Sequence, residues 1–170
     1  HASALLAEAD ALARGGSIDD ARARLRSAHA LTGSASVSDL RAEVALAFAD
    51  LGARFAMRRD EVVQGLEDAL AGVEGMDLDL EARLMARLAR ELQHSVAADR
   101  PRAEPLSQRA IALGRSGTDP DTLVTCLLAR HDVLWVPGSP AERIDLAREI
   151  VAVSERSGDR ERAAEGNLLL

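Results

Sequence analysis

The stretch that decides the fold reads DPDTLVTCLLARHDVLWVPGSPAERIDLAREIVAVSERSG and spans residues 119–158. A Pro-Gly-Ser-Pro turn divides it into two runs. In each run apolar residues recur every three or four positions, which is the spacing of one face of an α-helix. Asp119-Pro120 and Ser139-Pro140 precede the runs, and Asp or Ser followed by Pro is typical of a helix start. The stretch therefore predicts a pair of helices joined by a short turn.

The same apolar pattern returns about every 40 residues along the chain. In the second helix of each pair the recurring positions are Leu66, Leu70, Ala71 and Val73, then Leu106, Ala110, Ile111 and Leu113, then Leu146, Ile150, Val151 and Val153. In the first helix they are Val44, Phe48 and Ala49, then Leu84, Leu88 and Ala89, then Val124, Leu128 and Ala129, then Ala164, Leu168 and Leu169. One hairpin cannot bury such a stripe alone, whereas stacked hairpins join their stripes into one core. The sequence predicts an all-α, tetratricopeptide-like right-handed stack of antiparallel helical hairpins with about nine helices.

Turn residues between the apolar runs set the expected boundaries. We predict helices near residues 2–14, 17–32, 38–58, 60–73, 79–97, 101–116, 119–135, 140–157 and 159–170. They form one helical-repeat domain over residues 1–170, with units 1–37, 38–77, 78–118, 119–158 and a partial unit 159–170. The missing initiator Met and the helical pattern at the Leu-rich end indicate an internal fragment of a larger protein. Two details are also expected: Ser139 and Glu142 form a capping box, and Gly117 and Gly158 end their helices in the left-handed conformation.

Composition excludes several kinds of function. All 21 basic residues are Arg, so no lysine-dependent nucleotide site or Schiff base can form. The formal net charge of −7 argues against a nucleic-acid-binding surface in this fragment. No apolar run approaches the roughly 20 residues that span a bilayer, so no membrane segment is predicted. A single cysteine and the absence of a signal peptide fit a bacterial cytoplasmic protein.

Catalytic signals are absent from the sequence. Cys126 lies among apolar residues of a helix and is expected to be a buried, inert thiol. Neither a serine elbow nor a Gly-rich phosphate loop is present, and no His, Cys or carboxylate set has metal-ligand spacing. Asp77 and Asp79 stand together at a helix start, where the helix dipole explains them. We therefore predict no catalytic, cofactor-binding or metal-ligating residues.

Binding candidates are few. His131 and Trp135 are four apart and share a helix face. They could form a ligand pocket with Arg130, or Trp135 could simply pack a helix end; the second interpretation is favoured. Arg83, Arg87 and Arg90 form a basic stripe between Glu81 and Glu91, for which a solvated face with ion pairs is the favoured reading. Arg54, Arg58 and Arg59 receive the same interpretation, and Phe48 and Phe55 are expected in the core.

Three stretches resemble the C-terminal helical region of large ATP-binding, LuxR-type transcriptional regulators from high-GC bacteria. They are GARFAMRRD (52–60), EARLMARLAREL (81–92) and residues 116–166, in which Arg130-His131, Leu134-Trp135, a Pro-Gly turn and Glu142-Arg143 are the most specific part. The resemblance implies an upstream module that hydrolyses ATP, a downstream DNA-binding helix-turn-helix and a repeat region that senses a ligand or partner. ATP and DNA binding would belong to the parent protein.

The leading hypothesis is thus a non-catalytic sensor or interaction domain that binds a protein segment or a small effector on the concave face of the stack. The expected exposed contacts are Arg54, Arg87, Arg130, His131 and Trp135. One alternative is a structural scaffold or a self-associating array, which would make a homo-oligomer through its ends. Another is a regulatory repeat attached to a cyclase or kinase module.

Overall fold

A computed structural model describes residues 1–32, 38–52, 59–136 and 138–170, and within these ranges the chain is all-helical with no strand. The helices are α1 (Ala2–Arg14), α2 (Ile18–Leu31), α3 (Ser38–Gly52), α4 (Arg59–Val73), α5 (Leu78–Gln93), α6 (Ala103–Ser116), α7 (Pro120–Val133), α8 (Pro140–Ser157) and α9 (Arg160–Leu168). The predicted all-α class and the predicted helix order are confirmed. The tetratricopeptide-like geometry and the single-domain organisation stay predictions. The described chain divides into two compact units, His1–Glu74 and Gly75–Leu170, and each is described by itself below.

The boundaries differ from prediction mainly around α5 and α6. Helix α5 ends at Gln93 rather than at 97, and a short 3-10 helix, Arg100–Arg102, precedes α6. Pro105 lies in the first turn of α6, where its missing N–H removes no helical hydrogen bond. Part of the predicted helix 38–58 lies outside the described residues, including Phe55 and Arg58.

Helices α5, α7 and α9 begin with the same device. An aspartate side chain accepts a hydrogen bond from the backbone N–H three residues later, at 3.0 to 3.1 Å; the pairs are Asp77 with Leu80, Asp119 with Thr122, and Asp159 with Arg162. Asp119 also accepts the Thr122 hydroxyl at 2.8 Å. Burial raises the pKa of Asp119, but these hydrogen bonds outweigh burial and hold the pKa below its usual 3.8. An aspartate N-cap thus recurs at the start of all three helices.

Two predicted helix ends are wrong. Ser139 makes no side-chain cap hydrogen bond, and the Glu142 carboxylate that should complete a capping box accepts from Arg130 instead. Gly117 is extended rather than left-handed, and a side chain there would collide with the carboxylate of Asp79. That carboxylate accepts the backbone N–H of Thr118 at 3.0 Å. Gly158 is left-handed, with φ of 78°, as predicted.

In the first unit, α1 packs against α2 and α3, α2 against α3, and α3 against α4. Buried side chains of α1, α2 and α3 form a small core, which consists of Ala9, Ala21, Leu25 and Leu51 with Leu6 and Phe48 packed against it. Arg26, which breaks the apolar repeat, is exposed and its Nε lies 3.4 Å from Glu61. The polar residue is therefore accommodated by facing solvent.

In the second unit each helix from α5 to α9 packs against the next, and α5 also packs against α7. Equivalent acids link alternate helices: Asp79, the second residue of α5, binds Thr118 ahead of α7, and Asp121, the second residue of α7, accepts from Arg162 of α9 at 3.1 Å. The chain positions joined are 39 and 41 residues apart. These polar contacts follow the same interval as the apolar repeat.

Apart from the exposed Ala71, the predicted repeat positions of the first three copies are buried or partly buried. The alanines at the small position, Ala49, Ala89 and Ala129, are fully buried. In the last copy Leu168 is 88% exposed. The 40-residue interval therefore marks packing positions up to α8.

Candidate functional site

The most distinctive surface of the second unit lies where α7 ends and α8 begins. Trp135 follows the last turn of α7 and is 64% exposed, with exposed Val136 beside it. The Cζ atom of Arg143, in the first turn of α8, lies 3.6 Å from the centroid of the Trp135 ring. At that distance the guanidinium stacks on the indole as a cation–π pair. We call Trp135, Val136 and Arg143 the tryptophan corner.

Arg130 lies one turn before this corner and has a different environment. It is 4% exposed, and its Nη2 lies 2.8 Å from Glu142 and 3.4 Å from Glu104. Its Nη1 donates to the hydroxyl of Ser107 at 3.3 Å. The expectation that Arg130 is an exposed contact is therefore wrong, because α6 and α8 enclose the side chain and supply acids for it. Arg130 instead holds three helices together.

His131 is also buried, at 3% exposed, so the expectation of an exposed contact is wrong here too. Its ring centroid lies 6.1 Å from that of Trp135, with a tilt of 57° between the ring planes. Burial lowers the pKa of His131, and the nearby Arg143 lowers it further, against a smaller opposing effect of Asp132. The imidazole is therefore neutral at neutral pH, and its buried Nε2 meets no hydrogen-bond partner among the described residues.

Asp132, the third polar residue of this turn, points to α5. Its Oδ2 lies 3.1 Å from both Arg90 Nε and His94 Nε2. Asp132 and Glu142, which flank the turn before Arg143, are therefore both bound to other basic residues.

The predicted basic stripe on α5 has the expected ion pairs but is only partly solvated, since Arg90 is exposed whereas Arg83 and Arg87 are partly buried. Arg87 is half-buried and its Nη2 lies 3.1 Å from Glu91, which is buried. Glu81 is buried, accepting the Gly75 N–H at 2.8 Å and contacting Arg109 at 3.2 Å. The expectation of an exposed Arg87 is wrong, because only 13% of its side chain is exposed.

Arg54, the fifth expected contact, lies outside the described residues. Of the four expected contacts that the structure describes, Trp135 is the exposed one. The sequence reasoning missed Arg143. Its signal was the position one residue after Glu142, just across the turn from Trp135, where a long cation can reach back over the ring.

Cys126 is fully buried in α7, with its Sγ 3.7 Å from the carbonyl of Ala82. Burial raises the pKa of the Cys126 thiol to about 12, and the charge of Asp79 adds to the shift. The expected burial of Cys126 is confirmed, and a thiol with this pKa is a poor nucleophile at neutral pH.

The first unit has a separate pocket of about 90 Å³ between α2, α3 and α4. Its walls are mainly apolar, from Val44, Phe48 and Val62, and Arg26, His29 and Glu61 line it as well. Over the ranges that the structure covers, no three His, Cys, Asp or Glu side chains are grouped as a metal site.

No protein-family model matches the chain. No curated protein matches it either. Across the described helices, none has the length and apolarity needed to cross a bilayer.

Proposed function

We propose that the chain is a non-catalytic helical-repeat interaction domain that binds a segment of a protein partner at the tryptophan corner. The observation that carries the proposal is an exposed Trp135 fixed in place by the stacked Arg143. Trp and Arg are the residues most enriched among those that dominate binding energy at interfaces. A pre-stacked pair also loses less side-chain freedom on binding.

A protein segment suits this corner better than a small effector. Small ligands bury most of their surface in concave sites, whereas Trp135 is held open to solvent with Val136 beside it. Beneath the corner, the Arg130 contacts to Glu104 and Glu142 fix α6, α7 and α8. A rigid support of this kind favours recognition of a defined partner.

The setting we propose is the sensor region of a LuxR-type transcriptional regulator in the bacterial cytoplasm. This part depends on the resemblance of residues 52–60, 81–92 and 116–166 alone. It predicts that the parent gene encodes a nucleotide-binding module before this region and a helix-turn-helix after it. Reading the flanking coding sequence tests the setting, and a cyclase or kinase module there would contradict it.

Selection from a random peptide display library tests the binding function. The wild-type chain should enrich peptides that bind less tightly to Trp135→Ala by about tenfold or more, the loss expected for an interface hot spot. Met76→Ala is the matched control, because Met76 is also exposed and apolar but precedes α5, at the end of that helix opposite His94, which contacts Asp132. Peptides that bind wild type and Trp135→Ala equally, or no enrichment at all, would contradict the proposal.

Self-association through α9 is a second candidate function. Leu168 is 88% exposed and Leu170 is exposed as well, and large exposed apolar side chains favour association. Sedimentation velocity over a range of concentrations should then show mass increasing with concentration, and Leu168→Glu should abolish the increase. A wild-type chain that stays monomeric throughout would exclude this function.

A further inference from the structure

The binding proposed above does not specify the chemistry of the partner segment. The surroundings of Arg143 indicate which charge that segment carries. No carboxylate of the described residues lies within ion-pair distance of Arg143, and its Nε is buried without a hydrogen-bond partner. By contrast, Arg130, Arg115 and Arg162 each contact at least one acid at 2.8 to 3.1 Å. Arg143 is therefore a half-buried arginine that an aromatic ring, rather than an acid, holds in position.

Stacking determines which parts of the guanidinium stay available. A guanidinium that lies on a ring uses its flat face, so its N–H groups point outward in its own plane. That arrangement suits a carboxylate, which accepts two parallel N–H bonds from the edge of an arginine.

The neighbouring acids of the chain do not fill this role. Glu142, adjacent in sequence, accepts from Arg130 at 2.8 Å, and Asp132 is bound by Arg90 and His94. Asp145, two residues after Arg143, pairs with Arg148 at 3.2 Å. Moving any of these acids to Arg143 would break an existing charged contact. The positive edge of Arg143 is therefore an unmatched charge at the surface of a chain whose net charge is −7.

We infer that the tryptophan corner binds an acidic segment of a protein partner, with an Asp or Glu carboxylate on the edge of Arg143 and an apolar neighbour against Trp135 and Val136. The inference rests on the proposed binding function. The imidazole of His131, whose ring centroid lies 6.1 Å from that of Trp135, is buried beside this corner. A charge-assisted pair formed at a partly dry aromatic surface gains more than one formed in water.

Binding at this corner can be followed by the intrinsic fluorescence of the chain. It contains one Trp and no Tyr, so its fluorescence excited at long wavelength comes from Trp135 alone. The probes are acetyl-Leu-Glu-Glu-Leu-amide and the matched acetyl-Leu-Gln-Gln-Leu-amide, with sodium acetate as the free carboxylate. All three are titrated into the wild-type chain, into Arg143→Gln, and into Arg156→Gln. Arg156 also lies on α8, is exposed and has no acid partner among the described residues, so its variant controls for the charge change.

We expect the Glu peptide to bind wild type and Arg156→Gln about tenfold more tightly than the Gln peptide, since one charge-assisted contact has roughly that effect. In Arg143→Gln the two peptides should differ by less than twofold. Equal binding of both peptides to wild type, or an unchanged preference in Arg143→Gln, would overturn the inference. A response to acetate as strong as that to the Glu peptide would also overturn it, in favour of a small free carboxylate.

The failure of this inference can be told apart from failure of the binding function itself. If displayed peptides depend on Trp135 but carry no Asp or Glu and tolerate Arg143→Gln, the corner binds a partner that is not acidic. If no displayed peptide depends on Trp135, the binding function fails first.

Discussion

Arg130 and Arg143 stand on either side of one turn and show two ways of fixing an arginine. Arg130 is enclosed and bound by Glu104 and Glu142, whereas Arg143 is stacked on Trp135 and has no acid partner among the described residues. The first arrangement joins three helices and leaves no free donor edge. The second leaves the donor edge open. The difference separates a structural cation from one available to a partner.

The largest expected effect on stability comes from removing Arg130. Arg130→Ala should lower the free energy of unfolding by about 3 kcal/mol, since breaking a buried ion pair typically has that effect. Glu104 and Glu142 are themselves exposed, which keeps the loss at the low end of the range. Urea unfolding followed by circular dichroism measures it. Arg148→Ala, which removes an exposed pair with Asp145, should change stability by about 0.5 kcal/mol or less. Equal losses in the two variants would contradict the structural role of Arg130.

A second test moves to the other end of α7. Asp119→Ala should cost about 1 kcal/mol at neutral pH, because the helix loses its N-cap. The pKa of Asp119 is lowered in the folded chain, so its contribution is present above the unfolded pKa and is lost as pH falls through the folded value. Thermal unfolding of both proteins at pH 7 and at pH 2 should show the difference shrinking in acid. A difference that does not depend on pH would point to packing rather than capping.

Replacing His131, which lies between Arg130 and Arg143 in sequence, should have a smaller effect on stability, and that effect should depend on pH. Burial and Arg143 lower its pKa below the usual 6.5, so only the unfolded chain takes up a proton as pH first falls below that value. Wild-type stability should therefore decline from about pH 6.5 downward, and His131→Phe should decline less. Thermal unfolding at half-unit intervals of pH measures this. His29→Phe, at an exposed histidine of α2, is the control. If His29→Phe flattens the profile and His131→Phe does not, the assignment to His131 fails.

The smallest expected effect is the stability change on removing Arg143. An exposed cation–π contact contributes about 0.5 kcal/mol, so Arg143→Gln should fold almost as stably as wild type. The emission of Trp135 should nevertheless shift, because the charge over the ring is gone. A loss of stability as large as that of Arg130→Ala would mean that both arginines are structural and would contradict the distinction drawn between them.

Helix positions were predictable because they depend on local chemistry. The 3-4 spacing of apolar residues and the Asp-Pro start of α7 require only the chain itself, and α7 begins where they predict. The capping box at Ser139 failed for a non-local reason. Glu142 found a stronger, charged partner in Arg130, which lies 12 residues earlier and is presented to it by the packing of α7 against α8.

The candidate site divides in the same way. Trp135 was a candidate contact from sequence, but the favoured interpretation, that it packs a helix end, is wrong because the side chain is 64% exposed. Arg130 and His131 lie on the same helix, and the apolar pattern did not distinguish their exposure from that of Trp135. The structure buries both. Which side of α7 faces a neighbour depends on how α6 and α8 close over it, and helical periodicity alone does not fix that.

The sequence by itself determined the helical class, the 40-residue interval, the buried small alanines and the buried Cys126, because each follows from side-chain size and period. Only the tertiary structure decided which charges are satisfied. Acids from α6 and α8 reach Arg130, and α5 supplies the bases for Asp132, while Arg143 meets an aromatic ring instead. Charge pairing between helices depends on distances of a few ångströms across the packed hairpins. Those distances are set by the packing of several helices at once.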